Sequence, residues 1–187
     1  LAVSEGKALQ DPVEVASLPV ILEDIRKLST KYGSVIGYYE LRGLVRTRGI
    51  RAFEVNDILV ELVPVDAQEH VAVFVISSDG RKVIYAPCDV KPFPASDRFR
   101  GADVLIIGNT IVGDVLKDGF VLGEGNPLRK ELFTLDEIGG IRRQYGIGKV
   151  IITHLEEDWG KSYDDYRALE EELDSIFFAY DGLRIRL

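Results

Sequence analysis

Both histidines of the chain, and one aspartate between them, lie at the ends of predicted strands. His70 directly precedes a β-branched apolar run, and Asp89 and His154 closely follow two others. Strand ends hold side chains at a rim that solvent and ligands can reach. Two imidazoles and a carboxylate make a ligand set that suits zinc, iron or manganese. Their spacing matches no local zinc motif, so a surface role for each histidine and a turn role for Asp89 stay open.

Two other features could carry chemistry. Cys88, beside Asp89, is a candidate ligand or reactive thiol, although a small packed residue is the commoner role of a single cysteine. The second feature is a local cluster of four arginines, Arg42, Arg46, Arg48 and Arg51. Such a cluster could bind a phosphate, pair with acids at a subunit contact, or form an ordinary solvated surface.

The elements that must position these residues are clearest from residue 51 onward. Short unbroken apolar runs at 104–108 and 149–153 predict strands buried on both faces. Thr134 and Ser162 are good N-caps and predict two helices, and an Asp-Gly turn predicts a hairpin within 176–187. β-Branched runs between turn residues predict four further strands, at 51–55, 58–65, 71–77 and 82–86.

The start of the chain has a weaker pattern. Residues 18–22 are predicted as a short strand with proline at its edge, followed by a short amphipathic helix at 23–31. Residues 34–50 are predicted as a loop excursion or lid. A β-rich start followed by alternating strands and helices predicts one α/β layered domain over residues 1–187, with a mixed sheet.

Composition narrows the function classes. The 187 residues carry a net charge of −8, so the chain lacks the general basic character with which proteins grip long nucleic acids. No apolar run reaches the roughly 18 residues of a membrane span, and no signal-peptide pattern opens the sequence. The single cysteine rules out an internal disulfide framework. We therefore expect a cytoplasmic protein with no membrane partner.

Five segments together resemble the C-terminal half of metallo-β-lactamase-fold hydrolases. They are Tyr-Ala-Pro-Cys-Asp at 85–89, Ile-Thr-His at 152–154 and Tyr-Asp-Gly at 180–182, with residues 102–107 and 134–137 between them. The resemblance covers about residues 55–187 and is nearest to the branch that contains phosphoribosyl 1,2-cyclic phosphate phosphodiesterase, related to ribonuclease Z. It implies an αββα sandwich. The family's His-x-His-x-Asp-His motif is absent, so we expect an N-terminally incomplete form of this fold.

The resemblance also implies two divalent metal ions, zinc or manganese, in the complete protein and a partial site here. It implies His70 as a ligand of one ion, Asp89 as the bridging carboxylate and His154 as a ligand of the second ion. Asp89 and His154 are the expected catalytic residues, together with Glu131, which stands nearest to the place of a family histidine.

The expected function is that of a metal-dependent phosphodiesterase that uses a metal-bound hydroxide. Two cations can turn water into hydroxide at about pH 7 and clamp the oxygens of a phosphodiester. Arg46 and Arg48 are expected to bind the phosphate of a small substrate. Two alternatives stay open: a non-catalytic scaffold or assembly subunit of the same fold, and a hydrolase of another ester such as a thioester or lactone. A homodimer also stays open.

Overall fold

The computed structural model describes residues 11–30, 33–88, 90–108 and 110–187. The chain divides into two compact units, one formed by Leu1–Arg51 with Gln68–His70, the other by Ala52–Ala67 with Val71–Leu187. Among the described residues, no helix has both the length and the apolar character needed to cross a lipid bilayer.

In the part of the first unit that the structure describes, there are two small sheets and two helices. Its short parallel sheet pairs the first strand with the last, and its antiparallel sheet pairs the two strands between the helices. In chain order the elements are β1 (Val13–Ser17), α1 (Pro19–Lys27), β2 (Ser29–Thr30), β3 (Gly33–Ser34), α2 (Val35–Leu41) and β4 (Val45–Gly49).

Two sequence predictions fail in this unit. Residues 18–22 are not a strand but the start of α1, because Pro19 stands at the first helical position, where its fixed φ and missing N–H fit a helix start. Residues 34–50, expected as a loop excursion or lid, form α2 and β4 instead. The Ser34 side chain begins α2 by accepting a hydrogen bond from the Gly37 N–H at 3.2 Å.

The second unit is built on one seven-stranded mixed sheet, and this confirms the predicted α/β class. The strands of this sheet are β5 (Ala52–Val55), β6 (Ile58–Pro64), β7 (Ala72–Ser78), β8 (Arg81–Ala86), β9 (Val104–Ile107), β12 (Lys149–Ile152) and β13 (Ile176–Phe178). The strand order is β13-β12-β9-β8-β7-β6-β5, parallel from β13 to β8 and antiparallel from β8 to β5. The remaining elements are β10 (Thr110–Ile111), α3 (Leu128–Glu131), β11 (Phe133–Thr134), α4 (Leu135–Tyr145) and α5 (Tyr163–Glu172).

The parallel half of the sheet carries the core. In β9 and β12, Leu105, Ile107, Val150 and Ile152 are fully buried, as their unbroken apolar sequences predict. The connections that return the chain to the same end of the sheet contain α4 and α5. Because β8, β9 and β12 run in parallel, their carboxyl ends meet at one edge.

Both predicted helix starts are confirmed, whereas the end of the predicted hairpin is wrong. The Thr134 side chain accepts the Glu137 N–H at 3.2 Å, and the Glu137 carboxylate accepts the Thr134 N–H at 2.8 Å. Ser162 and Asp165 form the same reciprocal pair at the start of α5. Residues 183–187 form no strand, because the chain turns after β13, where the Leu183 N–H donates to the Tyr180 carbonyl at 3.0 Å.

The cap of α4 gives a testable stability difference. Replacing Thr134 with Ala removes the oxygen that accepts the Glu137 N–H, and we expect a loss of about 1 kcal/mol in the free energy of unfolding. Chemical denaturation measures this loss. Thr134→Ser keeps the hydroxyl and is the matched control. Equal stability of the Ala and Ser variants would show that the cap contributes nothing.

Asp103 ties β8 to β9 at the start of their parallel pairing. Its carboxylate accepts the Lys82 backbone N–H at 2.8 Å and an Arg81 guanidinium N–H at 2.9 Å. The backbone hydrogen bond first, and the guanidinium second, hold the pKa of Asp103 below its ordinary value of 3.8. A lowered carboxyl pKa contributes stability that is present above the ordinary value and is lost as the pH falls through the lowered one.

We therefore expect Asp103→Asn to be less stable than the wild type above about pH 5, and the difference to shrink as the pH falls toward about 2. Thermal unfolding followed at a series of pH values measures this effect. Asp79→Asn, at an exposed left-handed turn position that asparagine also tolerates, is the control. A stability difference that is independent of pH would contradict the assignment.

Candidate functional site

Three strand ends converge at the carboxyl edge of the parallel strands. Cys88 lies two residues beyond β8, Gly108 directly follows β9, and His154 lies two residues beyond β12. The Gly108 N–H donates to the Ala86 carbonyl at 3.3 Å, which extends the pairing of β8 with β9 to this edge. Open α/β sheets bind ligands at this edge because the loops that leave parallel strands meet there.

His154 has polar partners on both sides of its ring. Its Nδ1 lies 3.2 Å from the Cys88 Sγ, and its Nε2 lies 3.0 Å from the Glu156 Oε1. The imidazole is 54% exposed. We call these three residues the Cys88–His154 cluster. In the tautomer that carries its proton on Nε2, Glu156 accepts that proton in a hydrogen bond, and Nδ1 keeps a lone pair on the side of Cys88.

The backbone of His154 is strained. Its φ is +53°, a left-handed value that residues other than glycine adopt uncommonly. The preceding Thr153 N–H makes a ladder bond to the Ile107 carbonyl at 2.8 Å, so the chain leaves the sheet immediately before the histidine. Such strain, of order 1–3 kcal/mol, persists where the surrounding structure enforces it, and it is concentrated at functional positions.

Gly108 lies against the Cys88–His154 cluster. A Cβ at this position would lie 3.4 Å from the Cys88 Sγ and 3.5 Å from the His154 Cβ. These are ordinary contact distances, so Gly108 brings the β9 strand end into van der Waals range of the other two strand ends. The cluster therefore rests on the register of β8, β9 and β12, which is set by the buried sheet.

Comparison with protein-family models and with curated proteins gives no match. Solved structures do match. Zn²⁺-bound PqqB from Methylobacterium extorquens has a TM-score of 0.63 and 20% identity, over 94% of this chain and 63% of that one. YhfI from Bacillus subtilis, a metallo-β-lactamase-fold protein, has a TM-score of 0.56 and 14% identity, over 92% and 64%. A diphosphatase from the PhnP family has a TM-score of 0.53 and 16% identity, over 87% and 63%.

The chain has the metallo-β-lactamase fold. This confirms the fold that the sequence resemblance implies. The chain spans between 63% and 64% of the length of these three matched structures.

The two histidines predicted as metal ligands belong to different compact units. His154 lies at the carboxyl edge of the sheet, in the cluster described above. His70 belongs to the first unit, where its Nδ1 lies 2.5 Å from the Asp24 Oδ2 in α1. Hydrogen bonds from Lys27, and then from His70, hold the pKa of Asp24 below its ordinary range. Asp89 lies outside the described residues, so its role stays a prediction.

The other candidate residues do not join the Cys88–His154 cluster through any hydrogen bond or ion pair that the described residues show. The Arg48 Nε pairs with the Glu14 Oε1 at 2.8 Å across β1 and β4 in the first unit, and Arg46 lies opposite Glu14 in that pairing. Glu131 is exposed at the end of α3. The phosphate-binding role of the two arginines and the catalytic role of Glu131 stay predictions.

Sequence patterns did not reveal one member of the cluster. Glu156 belongs to an acidic run, and such runs are most often solvated charge. The informative signal is its position two residues after a histidine that ends a buried strand. A metal-binding histidine commonly donates its second ring N–H to a carboxylate, and Glu156 occupies that position relative to His154.

The metallo-β-lactamase fold implies bound metal, and the donor chemistry of the cluster fits a divalent ion in part. Thiol, imidazole and carboxylate groups are all zinc ligands. Within residues 11–30, 33–88, 90–108 and 110–187, however, no group of three or more His, Cys, Asp or Glu side chains is arranged to hold a metal ion. His154 is therefore a candidate ligand whose companion ligands would have to come from outside the described residues.

Proposed function

We propose that this chain is part of a metal-dependent hydrolase of the metallo-β-lactamase fold, with His154 as a metal ligand and a small phosphodiester as substrate. The observation that carries the proposal is the strained His154 backbone at the edge where three parallel strands of this fold converge. Backbone strain of this kind is concentrated at functional positions.

The residues of the cluster have separable roles in this proposal. Glu156 accepts a hydrogen bond from the Nε2–H of His154 and thereby fixes the tautomer and the ring orientation. Cys88 lies against Nδ1, on the side where the ring presents its lone pair. A bound divalent ion would supply Lewis acidity toward the ester oxygens and lower the pKa of a bound water.

Similarity and charge support the choice of substrate class. The matched structures include a Zn²⁺-bound protein and a diphosphatase of the PhnP family, and the sequence itself resembles cyclic phosphate phosphodiesterases. The net charge of −8 disfavours a long polyanion, which needs an extended basic face, more than a small phosphodiester.

A second candidate is a non-catalytic scaffold or assembly subunit. Both ring nitrogens of His154 already have polar neighbours, and the described residues hold no complete metal-binding group. A histidine in this setting could serve only to stabilise the strand edge. A hydrolase of a thioester or lactone is a third candidate, because one fold supports many substrates.

The deciding experiment uses the complete protein produced from its natural gene. Zinc and manganese are measured per chain, and hydrolysis is then compared for bis(p-nitrophenyl) phosphate, a thioester and a lactone. Bound metal with turnover of the phosphodiester supports the proposal. If metal is bound but only the thioester or the lactone is hydrolysed, the proposed substrate class is wrong. If no metal is bound and none of the three compounds is hydrolysed, the scaffold is favoured.

A further inference from the structure

A basic groove lies beside β12 and includes Lys149, the first residue of that strand. It consists of two adjoining cavities of about 240 Å³ and 270 Å³, and both are lined by Lys149, Ile185 and Arg186. We use the name basic groove for these two cavities. Their charged lining comprises five basic side chains and two carboxylates, contributed by Arg81, Lys149, Arg167, Arg184, Arg186, Asp103 and Glu170.

The carboxylates of the basic groove are already engaged. Asp103 holds Arg81 at 2.9 Å. Glu170 pairs with Arg167 and also accepts the Phe178 N–H at 2.8 Å at the edge of the sheet. Among the described residues that line the groove, no side-chain carboxylate is therefore left over to neutralise its other cations.

Three cations of the basic groove remain without a counter-charge. Lys149, Arg184 and Arg186 make no ion pair with any residue that the structure describes. In a chain whose net charge is −8, three unneutralised cations around adjoining cavities are a local reversal of charge. Like charges held together cost free energy, and a bound anion removes that cost.

The groove also offers aromatic surface. Phe177 and Tyr180 line the cavity of about 240 Å³, and the Tyr180 ring is about half exposed. Tyr163 packs edge-to-face on Tyr180 with 5.7 Å between the ring centroids, which fixes the ring in place. Guanidinium groups beside an exposed aromatic ring can bind both a phosphate and a planar base.

We propose that the basic groove binds a small anion with two or more phosphate groups, such as pyrophosphate or a nucleoside diphosphate. Each cavity is smaller than the roughly 300–1,000 Å³ of an ordinary ligand pocket but can hold a phosphate group. Arg186 and Lys149 line both cavities, so they can contact neighbouring phosphates of one ligand. The groove is distinct from the Cys88–His154 cluster, because none of Cys88, His154 and Glu156 lines either cavity.

Isothermal titration of the complete protein with pyrophosphate and with ADP, at about 0.15 M salt, tests the proposal. We expect binding with a Kd below about 1 mM, and binding that is about tenfold or more weaker in Arg184→Gln/Arg186→Gln. Arg143→Gln removes an exposed arginine from α4, outside the groove, and is expected to bind as the wild type does. Thermal unfolding confirms that all variants fold.

Two further measurements distinguish binding in the basic groove from binding at the strand edge and from general charge attraction. His154→Ala should bind pyrophosphate as tightly as the wild type does, and loss of binding in that variant would place the anion at the strand edge instead. Titration with a hexaglutamate peptide tests a purely electrostatic surface. The proposal would be overturned if the peptide binds but pyrophosphate and ADP do not, or if none of the three binds. It would also be overturned if Arg143→Gln weakens pyrophosphate binding as much as Arg184→Gln/Arg186→Gln does.

Discussion

The His154→Ala variant of the complete protein is expected to lose metal and to hydrolyse its substrate more than about 100-fold more slowly than the wild type. Removal of a residue that only orients a metal ligand costs about 10–100-fold in metal affinity or activity, and removal of a ligand itself should cost more. Metal content by elemental analysis and the initial rate of phosphodiester hydrolysis measure the two effects.

The Glu156 carboxylate beside the His154 imidazole is expected to have a smaller effect than the imidazole itself. Glu156→Gln keeps the shape of the side chain but weakens the hydrogen bond to Nε2, and we expect a loss of about 10–100-fold. Glu157→Gln is the matched control, because Glu157 is 90% exposed and pairs with Lys117 rather than with the histidine. Wild-type behaviour is expected for this control.

The left-handed backbone of His154 calls for a second variant. Alanine rarely adopts a φ of +53°, whereas asparagine tolerates it. His154→Asn therefore removes the imidazole with less risk to folding. If both variants fold and keep the metal content and rate of the wild type, the assignment of His154 as a metal ligand is wrong.

Local sequence signals predicted the second unit well, because its strands and helix starts are defined by near neighbours. The β-branched runs between turn residues correspond to β5 to β8, and the Thr134 and Ser162 caps begin α4 and α5. The first unit was less predictable. Pro19 is compatible both with an edge strand and with the first turn of a helix, and buried contacts of Leu18 and Leu22 favour the helix.

The candidate site was predicted only in part, for a physical reason. The position of His154 follows from an apolar run that ends at a histidine, which is a local signal. Its contact with Cys88 joins residues 66 positions apart and depends on the register of β8 and β12 against β9. Likewise, the hydrogen bond of His70 with Asp24 depends on where α1 begins, which the sequence pattern misplaced.

Phe99→Ala is expected to cost about 3–5 kcal/mol of the free energy of unfolding. The Phe99 side chain is 0% exposed and ends the 3₁₀ turn Asp97–Phe99. Its ring centroid lies 5.0 Å from that of Phe93 and 5.4 Å from that of Tyr145. Truncation removes buried apolar surface, leaves a cavity that close-packed neighbours cannot fill, and deletes two ring–ring contacts.

Denaturant titration measures this loss, and Phe120→Ala is the matched control. Phe120 is 53% exposed, so its truncation should change the free energy of unfolding by no more than about 0.5 kcal/mol. We call Phe93, Phe99 and Tyr145 the aromatic cluster. A loss below about 1 kcal/mol for Phe99→Ala would show that this cluster is loosely packed.

The effect of Phe99→Ala should extend to the candidate site, because the aromatic cluster supports the segment that follows Cys88. Phe93 packs on both Phe99 and Tyr145, which joins this segment to α4. Lys91 adds hydrogen bonds of 2.8 Å to the Glu137 carboxylate and 2.9 Å to the Leu132 carbonyl. We therefore expect weaker metal binding in Phe99→Ala even under conditions where the variant stays folded, whereas unchanged metal affinity would show that Cys88 and its neighbours are positioned by the sheet alone.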